Sequence, residues 1–303
     1  MKKIYILLSG LIGLGTFFQS CSDHLDVERY FNDRQSLERI FNSRDYTEEW
    51  LANAYYQLLN YNLEIGHVQF TITNFSDDMI FTEGGAGISF VKYKAGEFGP
   101  QYTSGNPSNL ITRPWDQSYD GIRQASIFIE NAHPGDEITE AMYRDLKGQA
   151  YFIRGYLYWL LLRKYGPVPI LPEEGLDYEA PYSELARPRS TYDECVEYIA
   201  EQMLLAAELL ERDRSTLSAS RPTKGAALAV RAKAYLYAAS PLMNGNPEMA
   251  DFVDDQGRKL ISQEYDEEKW AKAAAAARDV IELNQYQLYV APKRQTGGLW
   301  GAY

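Results

Sequence analysis

Leu146 to Pro172, LKGQAYFIRGYLYWLLLRKYGPVPILP, constrains the fold more than any other stretch of this chain. At helical spacing Met142, Leu146, Ala150, Ile153, Leu157 and Leu160 fall on one stripe. Between Gly155 and Leu162 nearly every face is apolar, and a helix of that kind must be covered on most sides. Gly166 stands just past the helix end, where a left-handed residue is wanted, and Pro167 forbids continuation. Pro169 and Pro172 then force an extended strap lying back over the bundle. The stretch predicts the central helix of an all-α domain.

Other helices are predicted around it. The first runs from about Tyr46 to Asn60 with Trp50, Ala54, Leu58 and Tyr61 on one stripe, capped by Asp45 or Thr47. The second runs from Pro114 to Ala132 with Trp115, Tyr119, Ile122 and Ile129 inward. The central helix is third and begins near Glu137. The fourth follows Ser190, read as its cap with Asp193 three residues on, and carries Val196, Ile199, Met203, Leu204, Ala207 and Leu210. The fifth starts after Thr223 and is alanine-rich to about Ser240. The sixth, Asp266 to Leu283, puts Trp270, Ala273, Ala274, Ala277, Val280 and Ile281 on its apolar positions, closed by Asn284.

Between the first two helices, residues 61–113 are rich in Gly, Asn, Ser and aromatics and lack helical periodicity. Insertions of that length in a compact domain are functional or disordered, and the aromatics argue against disorder. Six helices then pair as three hairpins, each interrupted between its halves. The sixth, EKWAKAAAAARDVIELN, has the aromatic–small–aliphatic pattern of the second helix of a tetratricopeptide-type repeat. Stacked hairpins share one core and send their insertions out on one face.

The N-terminus carries Lys2 and Lys3 before an apolar run, Ile4 to Phe18, too short to span a bilayer. Phe18-Gln19-Ser20-Cys21 resembles a bacterial lipoprotein cleavage box, with Phe18 where leucine is usual. Processing would make Cys21 the acylated first residue; the alternative is plain secretion with Cys21 in a disulfide. Residues 1–20 are thus read as a signal peptide and 21–43 as a lipidated tether. Cys195, the other cysteine, reads as a small buried hydrophobe. The net charge is −12 and no basic stripe is visible, which argues against nucleic acid.

Several segments together resemble the SusD/RagB family, surface lipoproteins of Bacteroidetes that work with an outer-membrane importer. They are WDQSYDGIRQASIFIENA (115–132), GQAYFIRGYLYWLLLRKYGPVPIL (148–171), RPRSTYDECVEYIAEQMLLAAELL (187–210) and RPTKGAALAVRAKAYLYAASP (221–241), followed by the sixth helix and QYQLY (285–289). The resemblance implies a tetratricopeptide-type α-α superhelix over residues 44–290, with 61–113 as its ligand-loop insertion. It implies a non-enzymatic, surface-exposed, outer-membrane lipoprotein that captures glycan and delivers it to a SusC-like TonB-dependent transporter. Asp23, just after Cys21, looks like the surface-export signal of such lipoproteins. Family members continue through a sizeable C-terminal region, so residues 291–303 are expected to be the start of a truncated one. The alternative is a lipid-anchored helical scaffold whose only ligands are proteins; a carbohydrate-active enzyme is a third reading.

Aromatic faces stack on the C–H face of a sugar ring, while amides and carboxylates orient its hydroxyls. The insertion offers Phe81, Phe90, Tyr93, Phe98 and Tyr102 beside Asp78, Asn106 and Asn109, and the Gly-rich tail adds Trp300 and Tyr303. These are the expected ligand residues. Arg154, on the apolar helix, demands a carboxylate partner and reads as a structural ion pair. His24, His67 and His133 are scattered, Asp77-Asp78 lacks the spacing of a calcium loop, and Gly84-Gly85-Ala86-Gly87 lacks the lysine of a phosphate loop. No catalytic residue, metal or cofactor is expected.

Overall fold

The computed structural model describes residues 36–59, 114–173 and 180–290. The α-helices are α1 (Leu37–Asn42), α2 (Arg44–Leu59), α3 (Pro114–Asn131), α4 (Glu140–Tyr165), α5 (Tyr182–Leu185), α6 (Tyr192–Leu209), α7 (Lys224–Ala239) and α8 (Glu268–Glu282). Among the described residues extended pairing is limited to two isolated bridges, Asn244 with Ser262 and Val253 with Lys259. The fold is the expected all-α one.

The long helices pack in chain order, α2 on α3, α3 on α4, α4 on α6, α6 on α7 and α7 on α8. This is the stacking of a helical-hairpin array, in which each element buries its stripe against its sequence neighbours. The central helix α4 also reaches α2 and α7. Leu146, Ala150, Ile153 and Leu157 of its stripe are buried, as are Tyr158, Trp159, Leu161 and Leu162. Its approach to α6 depends on two glycines. A Cβ on Gly155 would stand 2.9 Å from Gln202 Cβ, and one on Gly148 would stand 2.9 Å from Leu209 Cβ. Seven residues apart, they lie on the same face and let the two backbones close.

The predicted stop holds. Gly166 has φ 68° and its N–H donates to Leu162 O. The chain then runs back over the bundle as a strap pinned by side chains of three elements. Tyr119 Oη donates to Pro169 O (2.7 Å), Leu171 N to Tyr158 Oη (2.9 Å), and Arg189 Nη1 to Pro167 O (2.7 Å). Val168 beneath them is fully buried.

Several details differ from the sequence reading, among them the first cap, since α2 begins at Arg44 and contains both Asp45 and Thr47. Residues 37–42, assigned to the tether, form α1, because Phe41 is buried against Trp50 and Phe128 and Ser36 caps the turn. α4 begins after Thr139, whose Oγ1 accepts from Met142 N, rather than near Glu137. α6 is capped by Thr191 with Glu194, not by Ser190 with Asp193; the Asp193 carboxylate instead meets Lys269 Nζ at 2.6 Å. On α8 the inward residues are Ala273 and Ala276, while Trp270 and Ile281 are exposed. On α6, Leu204 is likewise exposed.

Candidate functional site

α2 and α3 are antiparallel: Trp50 Nε1 donates to Gln124 O (3.1 Å), and Gln57 Cβ lies close against Gly121. Leu59, where α2 ends, and Pro114, where α3 begins, therefore stand at the same end of this pair. The insertion leaves and re-enters the scaffold there. The expected ligand residues Asp78, Phe81, Phe90, Tyr93, Phe98, Tyr102, Asn106, Asn109, Trp300 and Tyr303, and the lipidation candidate Cys21, all lie outside the described residues.

Arg154 sits at the crossing of α4 and α6 with 1% of its surface exposed. Its Nε and Nη2 both donate to Gln202 Oε1, at 2.9 and 2.7 Å. Nη2 also meets Glu173 Oε1 at 2.6 Å, and Nη1 reaches Ser126 Oγ at 3.3 Å. Gln202 Nε2 closes the network by donating to the same Glu173 oxygen at 3.1 Å. The required carboxylate is therefore present, and it comes from the strap. A guanidinium so fully engaged is a structural pin rather than a reacting group. Nothing in the sequence marks this role for Gln202, which follows Glu201 on a helix with several acidic residues and so reads as one more solvated position.

A cleft of about 760 Å³ opens between α2, α4 and the turn before α7. Leu51, Leu58 and Leu146 supply aliphatic lining, and Phe152, Tyr55 and Tyr156 the aromatic part. Phe152 and Tyr156 are stacked, centroids 5.7 Å apart and rings 9° from parallel. Glu48 and Arg221 bring charge to it, in contact at 3.8 Å. Behind the lining runs a polar relay. Tyr55 Oη donates to Gln149 Oε1 (2.9 Å), and Gln149 Nε2 donates to Asp145 Oδ2 (2.7 Å). Arg214 pairs with Asp145 at 2.8 Å and donates through Nη2 to Pro222 O at 2.7 Å. Burial raises the Tyr55 phenol far above its ordinary pKa, with Arg221 and Arg214 pulling the other way. Tyr55 is therefore a neutral hydroxyl at every physiological pH.

A second groove, about 740 Å³ along α6, is lined by Asp193, Glu194, Glu197 and Glu201. Its charge is largely matched: Lys269 holds Asp193, Arg258 holds Glu194 and Lys272 holds Glu197. Among the described residues no three His, Cys, Asp or Glu side chains gather as metal ligands, and no helix is long and apolar enough to cross a membrane.

A SusD-like family model, described as starch-binding and associating with the outer membrane, matches residues 23–236. The chain belongs to the SusD-like family. Among solved structures it is similar to BT4246, with 26% identity and a TM-score of 0.62 over 80% of this chain and 40% of that one. It shares the fold of a laminarin binding SusD-like protein, at 19% identity and TM-score 0.52 over 66% of this chain and 41% of the other. Surface glycan-binding protein A from Bacteroides uniformis has the same fold, at 16% identity and TM-score 0.52 over 82% of this chain and 48% of that protein. The chain thus spans less than half the length of each of these SusD-like structures. No curated protein matches it.

Proposed function

We propose that this SusD-like chain is a non-catalytic, lipid-anchored glycan-capture protein of the cell surface, which delivers oligosaccharide to a SusC-like TonB-dependent transporter. The observation that carries the reading is the family match over residues 23–236, with its starch-binding, outer-membrane description. Two structures of the same fold are named for laminarin and surface-glycan binding, which supports a saccharide ligand. The antiparallel α2–α3 pair gives the insertion a rigid base, as a ligand loop requires. In this reading Cys21 carries the lipid, and the aromatics of 61–113 together with Trp300 and Tyr303 contact the glycan.

Affinity electrophoresis of the chain beginning at residue 22, run through gels containing starch or laminarin, tests capture. Retardation without release of shorter sugars is expected; sugar release would make the protein an enzyme. Tyr93→Ala and Trp300→Ala should weaken retardation with the circular dichroism unchanged. Unaltered mobility shifts in both variants would remove the loop assignment. Delivery is tested by co-purification with a barrel transporter from outer membranes, and anchoring by loss of fatty-acid labelling in Cys21→Ala.

A further inference from the structure

We propose that the cleft between α2, α4 and the turn before α7 is a saccharide-binding site on the helical scaffold itself, taking a short stretch of neutral glycan. The inference rests on the glycan-capture reading above and assigns a second place where sugar is held.

The volume, about 760 Å³, lies in the range of small-molecule sites, roughly 300–1,000 Å³. Its lining has the two components that a pyranose needs. Phe152 and Tyr55 offer aromatic surface for the C–H face of the ring, and Phe152 is held in orientation by its stack on Tyr156. Glu48 and Arg221 offer an acceptor and a fork of donors for ring hydroxyls. Glu48 Oε1 accepts from Arg44 Nε at 3.1 Å. Its Oε2 lies 3.8 Å from Arg221, too long for a hydrogen bond, so Oε2 and the Arg221 fork each retain capacity for a third group. Sugar hydroxyls both donate and accept, and a vicinal pair can bridge the two side chains.

Among the described residues Glu48 and Arg221 are the only charges in the lining, one of each sign, so the cleft offers an ionic glycan no net counter-charge. A uronate carboxylate drawn to Arg221 would also meet Glu48, whose repulsion, lessened by its pair with Arg44, offsets part of the attraction. A neutral glycan meets no such opposition. The site is also built in advance. The Tyr55–Gln149–Asp145–Arg214 relay ends on the Pro222 carbonyl, one residue from Arg221, and fixes the turn that carries the guanidinium. Groups held by such a relay need little ordering on binding.

The test uses the mature chain with starch, laminarin and polygalacturonate as probes. Affinity electrophoresis compares wild type with Arg221→Ala, a half-exposed position whose loss leaves the core intact, and with Phe152→Ala. Arg221 labelling by phenylglyoxal is followed by mass spectrometry with and without soluble laminarin oligosaccharide. Expected are an apparent dissociation constant about tenfold higher for Arg221→Ala on a neutral glycan, and protection of Arg221 from labelling by the oligosaccharide. Wild-type retention on starch or laminarin, with Arg221→Ala unchanged and labelling unaffected by sugar, overturns the cleft while leaving glycan capture standing. Stronger retention on polygalacturonate than on either neutral polymer overturns the neutral-glycan assignment. A wild-type chain retarded by none of the three removes both readings.

Discussion

Arg154 and Gln202 meet through a forked contact in the helical core: two guanidinium nitrogens converge on one amide oxygen, at 2.9 and 2.7 Å. Both side chains are almost wholly buried, whereas Glu173, the charged partner, has 53% of its side chain exposed. Water can therefore replace Arg154 around the carboxylate, but nothing replaces Glu173 beside the guanidinium or the guanidinium beside Gln202. Arg154→Ala should lower unfolding free energy by about 1–3 kcal/mol, because Gln202 Oε1 loses its donors in a dry site. Glu173→Gln should cost more than that, because it leaves the buried guanidinium without a compensating carboxylate. Urea unfolding of the two variants checks the ranking, and equal losses would refute it.

Gly155→Ala should be destabilising although alanine is the better helix former. The new methyl meets Gln202 Cβ at 2.9 Å, and that atom cannot swing away without moving α6. The expected loss is about 1–3 kcal/mol, the usual range for overpacking. A thermal melt at or above wild type would show that α4 and α6 have slack between them.

The buried tyrosines predict an alkaline limit. Burial pushes the phenols of Tyr165 and Tyr198 up to about 12, and those of Tyr119 and Tyr158 well above the ordinary value. In the unfolded chain a phenol titrates near 10. Because the folded values are raised, this contribution to stability is fully present below about pH 10 and is lost as pH rises toward 12. Tyrosinate absorbance should rise in two steps, exposed rings first, with the second step coinciding with loss of helical circular dichroism. A single step near pH 10 with the fold intact would contradict the burial.

Cys195 should be inert in the native protein. Burial raises its thiol to about 11, and Sγ donates to Val168 O at 3.5 Å beneath the strap. An aromatic disulfide reagent at pH 8 should react with Cys21→Ala protein only after denaturant is added. Stoichiometric reaction of the folded protein would mean that the strap lifts freely.

Much of this scaffold is legible in the sequence because local signals agree. Thr223 caps α7 and Gly166 ends α4 with positive φ, both read from one residue and its neighbours. Asn284 takes positive φ after α8 for the same reason. The misreadings come where two local solutions compete or where distance decides. Ser190 and Thr191 are both hydroxyl residues before acidic ones, and the choice falls to Thr191 because Glu194 can close the box while Asp193 is drawn to Lys269. Phe41 anchors α1 only through rings far along the chain or a turn away, so the polar run before it hides the helix. The carboxylate demanded by Arg154 was foreseeable, but that Gln202 would share the guanidinium depends on how α4 and α6 cross. The cleft was not foreseeable at all, since its lining comes from residues 48 to 226.

α8 fully buries only Ala273 and Ala276, packs Val280 and the following Leu283 partly buried against the core, and adds the ion pairs Lys269–Asp193, Lys272–Glu197 and Arg231–Asp279. Charge thus takes a larger share of this contact than of the contacts around α4. In 1 M salt, where the screening length shrinks to about 3 Å, it loosens, while the aromatic heart around Trp159 is left untouched. Among the described helices α8 is thus the one whose hold on its neighbours should depend most on ionic strength.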